Sequence, residues 1–257
     1  MKVKVITILI FGALLGFLAN EANSQDLTGS EVLDKVAQSV DAQSADIELR
    51  MELFSASGSK RERSVIAKVT ESNNLTKSYI EFTSPANVEG TAFLALEQSK
   101  TNEEMYLFMP ALGSVRKIAG SQKNGSFVGT DFTYNDMSIL GGGEYKEDYK
   151  ATVENSSDDQ YVLRLEPVDK EIDYKYLKMW VDTKNWFPNT IEFYNADEKL
   201  EKVLTNKKIE QISGYWTARE LTMENVQKGT RTVLSMDEIQ YDVSIDDQIF
   251  TTRYLSR

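Results

Sequence analysis

The strongest constraint on this chain is a period of two. Ile47, Leu49, Met51 and Leu53 alternate with Asp46, Glu48, Arg50 and Glu52, so an extended segment here has one apolar face and one charged face. Segments of the same kind recur near 64–69, 78–82, 91–97 and 104–109, and again near 145–154, 161–166, 174–181, 190–194, 201–205, 215–226 and 230–241. Turn formers stand between them: Gly58, Asn73-Asn74, Ser156-Ser157, Asn195-Ala196-Asp197 and Lys228-Gly229. Many short strands at hairpin spacing predict a mainly β fold, one antiparallel meander curled or closed into a barrel.

Two stretches break that rhythm. Residues 27–40 have helical spacing, with Leu33, Val36, Ala37 and Val40 on one stripe. Thr28 and Glu31 stand at capping-box spacing, and Leu27 and Val32 where a hydrophobic staple closes. The polar face carries Glu31, Asp34 and Asp41, which predicts packing onto a sheet rather than onto a membrane surface. Residues 119–144 are rich in glycine yet hold Phe127, Phe132 and Tyr134. Tyr134, Met137 and Leu140 fit one helical turn, stopped by Gly141-Gly142-Gly143. A connection this long is usually functional or disordered, and its aromatics argue against disorder. It reads as a lid over an apolar opening.

The N-terminus has the pattern of an export signal. Lys2 and Lys4 precede an apolar run from Val5 to Leu18, followed by Ala22-Asn23-Ser24. The run falls short of the ~20 residues that span a bilayer. Cleavage after residue 24 is expected, leaving 25–257 as one domain, exported, soluble and periplasmic. The chain has no cysteine, which excludes disulfides, thiolate metal sites and a lipidated N-terminal cysteine. Without Lys2, Lys4 and Glu21 of the signal, 27 basic and 39 acidic residues remain, a net charge of −12. Such a surface repels nucleic acid.

Histidine is also absent. That removes the commonest general base, the Ser-His-Asp and Cys-His systems and the commonest transition-metal ligand. Carboxylate chemistry is what remains, and Asp131 and Asp136 beside the aromatic stretch are the best pair for it. Loop capping, or an ion pair with Arg116 or Lys117, is the stronger expectation for Asp131. No Asp-x-Asp-x-Asp-Gly calcium spacing and no phosphate loop is present, so no metal or cofactor is expected. The stretch Met105-Tyr106-Leu107-Phe108-Met109 is apolar on both faces, unlike the alternating segment at 47–53. Either a second layer covers the outer face, or one face lines a cavity.

The order of several blocks resembles the outer-membrane lipoprotein-sorting family, relatives of the periplasmic carrier LolA. The blocks are Phe82-Thr83-Ser84-Pro85, Gly90-Thr91-Ala92-Phe93-Leu94, Tyr106-Leu107-Phe108-Met109-Pro110, Arg116-Lys117-Ile118 and Gly125 through Asp136. Further along come Tyr176-Leu177-Lys178-Met179-Trp180-Val181-Asp182, Phe187-Pro188 and Phe250-Thr251-Thr252-Arg253-Tyr254-Leu255. The resemblance implies a LolA-like fold: a strongly curved antiparallel sheet, an incomplete β-barrel, with helices covering its concave face. It implies a non-enzymatic carrier that takes acyl chains of lipid or lipoprotein into an apolar hollow. Its partners would be an inner-membrane exporter of the resistance–nodulation–division or ABC type and an outer-membrane acceptor, with only transient membrane contact. The same half-barrel packed solid, serving as an adaptor subunit of such an exporter, is the alternative. Within the carrier reading, Leu49, Met51, Leu53, Leu94, Leu96, Met105, Leu107 and Met109 are the expected cavity wall. Phe127, Phe132, Tyr134 and Met137 are the expected lid, and Arg116, Asp131 and Asp136 the rim facing a headgroup or partner.

Overall fold

The computed structural model describes residues 27–99, 102–140 and 145–257. The expected export signal and the glycine triplet at 141–143 lie outside the described residues. Helix α1 (Gly29–Ser39) begins at the expected capping box: the Glu31 amide donates to Thr28 Oγ1 at 3.3 Å, and the Thr28 amide donates to the Glu31 carboxylate at 2.7 Å. Its apolar stripe, Val32, Leu33 and Val36, is buried. A side chain on Gly29 would come within 2.6 Å of the Ala151 backbone, so only glycine lets the helix approach the sheet this closely there.

The chain then runs through β1 (Ser44–Phe54), β2 (Lys60–Ser72), β3 (Leu75–Ser84), β4 (Ala92–Ser99), β5 (Asn102–Met109) and β6 (Ser114–Ile118). After the interruption it continues through β7 (Tyr149–Ser156), β8 (Gln160–Pro167), β9 (Tyr176–Asp182), β10 (Pro188–Tyr194), β11 (Leu200–Ile212), β12 (Tyr215–Asn225) and β13 (Thr230–Tyr241). The expected turn markers fall on connections, except Ser156, which closes β7. At Asn73-Asn74 both φ values are positive, 54° and 58°, the left-handed pair that a two-residue hairpin needs.

All thirteen strands form one antiparallel sheet in the order β6-β5-β4-β3-β2-β1-β13-β12-β11-β10-β9-β8-β7. It is strongly curved and does not close. The chain is therefore two meanders joined where the last strand pairs with the first, as Met51 opposite Leu234 shows. A bulge beside Leu49 frees Asp237, which pairs bidentately with Arg50 at about 2.9–3.1 Å. Strand β6 was not expected from the sequence. It has five residues, mostly exposed, with Arg116 and Lys117 in its middle, as suits a sheet edge.

Two apolar layers result. The concave layer contains Leu49, Met51, Leu53, Val65, Phe93, Met105 and Leu107 from the first meander, and Leu163, Met179, Ile191, Phe193, Met223 and Leu234 from the second. A smaller convex layer of Tyr79, Ala92 and Leu94 lies beneath the C-terminal segment, whose Phe250 and Leu255 (the latter in α4, Thr252–Leu255) are buried on it. This answers the two-faced strand β5. Met105, Leu107 and Met109 face the concave layer, while Tyr106 and Phe108 face the C-terminal segment.

Candidate functional site

The topology gives residues 119–140 and 145–148 a particular path. They leave edge strand β6 and re-enter at edge strand β7, so they cross the open side of the half-barrel from one rim to the other. The crossing begins with a 3₁₀ turn over Gly120–Asn124 and continues into a tight hairpin. The Phe127 amide donates to the Phe132 carbonyl at 2.8 Å, and Ser126 bridges Thr133. Val128 (φ 47°) and Gly129 (φ 75°) turn the tip. A β-branched residue at positive φ is a genuine outlier, so other contacts hold Val128 there. Helix α2 (Tyr134–Leu140) follows, then the short helix α3 (Tyr145–Asp148).

The residues expected to form the lid pack onto the concave layer. Phe127 and Phe132 are fully buried, Tyr134 is buried and Met137 packs against the same core. Phe127 sits edge-on to Phe93 at 5.3 Å and to Tyr134 at 5.5 Å, with Phe82 at 6.0 Å. Such ring pairs add to area burial through their quadrupoles.

Of the expected wall, Leu49, Met51, Leu53, Met105, Leu107 and Met109 belong to the concave layer. Leu94 and Leu96 do not. They lie in the convex layer under the C-terminal segment, and their neighbours Phe93 and Ala95 face inward instead. Strand β4 is apolar on both faces, so alternation alone could not say which parity points inward.

The rim assignment also needs correction. The Asp131 carboxylate accepts from the hydroxyls of Thr230 and Thr232 on β13, the latter at 2.7 Å, and pairs with neither Arg116 nor Lys117. Lys117 pairs with Glu104, and Arg116 is exposed on β6. Asp136 is 2% exposed. It receives Lys202 Nζ of β11 at 3.0 Å and the Tyr174 hydroxyl at 3.1 Å, while Lys202 also donates to Tyr174 at 2.8 Å. The Thr133 amide donates to Asp136 at 2.7 Å and the Asp136 amide to Thr133 Oγ1 at 3.0 Å, which caps α2. Burial, then the Asp136 charge, pushes the Tyr174 hydroxyl well above its ordinary range, which keeps it a proton donor to Asp136. Both aspartates are thus ties between lid and sheet.

A third tie had no signal in the sequence. Arg63 is 6% exposed on the concave side of β2, where its guanidinium donates to the Val128 carbonyl at 2.8 Å and lies over the Phe82 ring. Among the described residues it has no carboxylate partner, and burial and then Arg61 push it below the usual guanidinium range.

Behind the lid lies an apolar cavity of ≈90 Å³, lined by Leu49, Met51, Ile80, Phe93, Phe127 and Met236 among others. Glu97 and Glu103 stand at its end near the β4–β5 connection. A dry apolar cavity of about 150 Å³ holds one benzene. The cavity is therefore too small for a full acyl chain.

An open, strongly curved antiparallel sheet whose apolar concave face is crossed by a helical lid is the LolA-like class of protein. A family model described as "-like: Uncharacterized protein" matches residues 74–257, well over half of the chain, and the chain belongs to that family, within the LolA-like outer-membrane lipoprotein-sorting superfamily. A structure described as an outer membrane lipoprotein-sorting protein domain from Vibrio parahaemolyticus is 26% identical, with a TM-score of 0.81 over 89% of this chain and 98% of that one. A DUF1329 family protein from Desulfovibrio piger is also 26% identical, with a TM-score of 0.82 over 88% and 97%. A LolA superfamily protein from Nitrosomonas europaea shares the fold at 20% identity, with a TM-score of 0.71 over 89% and 99%. No curated protein matches the chain. Among the described residues, no helix is long and apolar enough to cross a membrane, and no group of acidic residues is placed to hold a metal ion.

Proposed function

We propose that this protein is a periplasmic carrier that shelters acyl chains of a lipid or lipoprotein beneath its lid and exchanges them with membrane-bound partners. The observation that carries this reading is an aromatic plug, tied at three points, over an apolar concave face. A core built only for stability has no need of a plug supplied by the one long connection between its sheet edges.

The energetics fit exchange. Burying an acyl chain is worth about 0.8 kcal/mol per CH₂, a gain that a bilayer also offers, so transfer turns on small differences. Opening the lid exposes Phe127, Phe132 and Tyr134 to water, and a bound chain would offset that cost. Met51, Met105, Met137 and Met236 are flexible enough to repack around irregular cargo.

In this reading residues 1–24 are a cleaved export signal and 25–257 the single carrier domain. The donor is an inner-membrane exporter of the resistance–nodulation–division or ABC type, and an outer-membrane acceptor takes the cargo. A non-catalytic role is supported by Asp131 and Asp136 being engaged by separate partners, Thr230 and Thr232 for one and Lys202 and Tyr174 for the other. The test is native mass spectrometry with lipid extraction on protein purified from its own periplasm without detergent. A stoichiometric lipid or acylated peptide is expected. Ligand-free protein that also takes up no lipid from liposomes would sink the carrier and leave the solid-core adaptor.

A further inference from the structure

A second cavity lies at the other end of the lid hairpin. It holds ≈290 Å³, near the lower end of small-molecule sites at ~300 Å³. The β1–β2 hairpin, the lid limb Gly129–Thr133, the start of β11 and the β12–β13 hairpin enclose it. Unlike the apolar cavity, it is lined by charge: Arg61, Asp131, Glu201, Lys202 and Lys228.

Two of these five charges are accounted for. Lys202 is held by Asp136 and Tyr174, and Asp131 by two threonine hydroxyls. Arg61, Lys228 and Glu201 are not: among the described residues none of the three side chains makes an ion pair or hydrogen bond. The hairpin presents Lys228 through its own amide, which donates to Asn225 Oδ1 at 2.9 Å. Arg61 lies on the same face of β2 as the buried Arg63, two residues nearer the β1–β2 hairpin and exposed.

The two cavities are neighbours along one strand. Leu49 and Met51 line the apolar one and Leu53 lines the charged one, successive inward positions ~7 Å apart on β1. The lid hairpin is the partition. Phe127 faces the apolar side, and Gly129 to Thr133 face the charged side. Removing the partition joins them into a single channel, apolar at depth and two-signed at its mouth.

We infer that this charged cavity receives the head of the cargo lipid, a zwitterionic phosphate-and-amine group, with Arg61 and Lys228 on the phosphate and Glu201 on the ammonium. Charge-assisted hydrogen bonds of this kind are about twice as strong as neutral ones, and a bidentate arginine adds geometric selection. The inference rests on the carrier reading, and its test separates the two.

Binding of three palmitoyl ligands to the purified protein is measured in parallel: lysophosphatidylethanolamine, lysophosphatidic acid and monopalmitoylglycerol. These share the chain and differ in the head. Lysophosphatidylethanolamine is expected to bind roughly tenfold tighter than monopalmitoylglycerol. The Arg61→Gln/Lys228→Gln double variant, both sites being exposed, should abolish that advantage, and Glu201→Gln should make lysophosphatidic acid the preferred ligand. Equal affinities in the native protein, or a preference that survives the double variant, would overturn the head site. Free phosphoethanolamine binding as tightly as the lipid would overturn the lipid as its source. Monopalmitoylglycerol bound without head preference leaves the carrier standing and removes the site, whereas binding of no acyl ligand removes both.

Discussion

The Arg63 guanidinium reaches the Val128 carbonyl across 2.8 Å, joining an inner strand of the sheet to the tip of the lid hairpin. Both partners are costly to keep. Arg63 is a buried cation without a carboxylate, and Val128 is a β-branched residue held at φ 47°. The hydrogen bond between them offsets part of both costs and fastens the hairpin tip to the sheet.

Arg63→Met should therefore loosen the lid without unfolding the sheet. Loss of a charged hydrogen bond costs the closed form about 1.5–3 kcal/mol, roughly a tenfold or greater shift toward open. Hydrogen exchange at the Phe127 amide, which closes the hairpin onto Phe132, should accelerate accordingly. Unchanged protection there would show that the bond does not hold the lid.

The Asp136–Lys202 pair should behave as a buried ion pair. Asp136→Ala leaves Lys202 buried and uncompensated, at a cost of about 3–5 kcal/mol. Asp136→Leu combined with Lys202→Met should recover most of that loss, because the desolvation penalty disappears with the charges. Denaturant midpoints of the single and double variants decide the matter, and simple additivity would count against coupling.

Phe127→Ala tests the plug. Removing a fully buried ring costs about 3–5 kcal/mol of stability. It also enlarges the ≈90 Å³ cavity that the ring helps to line. A lower melting temperature together with faster lipid uptake is expected. Slower uptake would mean that the ring belongs to the cargo site rather than blocking it.

Asp148, at the end of α3, is pushed up to about 6 by burial, with Glu97, Asp169 and Glu147 adding and Lys123 opposing. Its folded state holds a proton that the unfolded state has already released between pH 4 and 6. Stability should thus fall as pH rises through that window and stay lower above it. Asp148→Asn should raise the melting temperature at pH 7.5 by a few degrees and leave it nearly unchanged at pH 4. An equal gain at both pH values would assign the effect to something other than ionisation.

Much of this molecule follows from local pattern. The alternation at 47–53, the capping box at Thr28 and Glu31, the asparagine turn at 73–74 and the helical turn from Tyr134 all depend on neighbours within a few residues. The aromatic stretch at 127–134 announced a buried segment because three rings on an irregular connection need somewhere to go. Alternation is blind, however, to which face of a doubly apolar strand turns inward, and so Leu94 and Leu96 were placed on the wrong side of β4. Strand β6 carried too little apolar surface to register, since an edge needs only one partner. The pairing of β1 with β13, the path of the lid between the two edges, and the meetings of Asp136 with Lys202 and Arg63 with Val128 join residues far apart in the chain. Such contacts leave no periodic trace, because they arise only when the sheet curls and brings distant segments together. Sequence alone determined the strands, the turns and the greasy connection, and tertiary structure decided which face is the inside and what holds it shut.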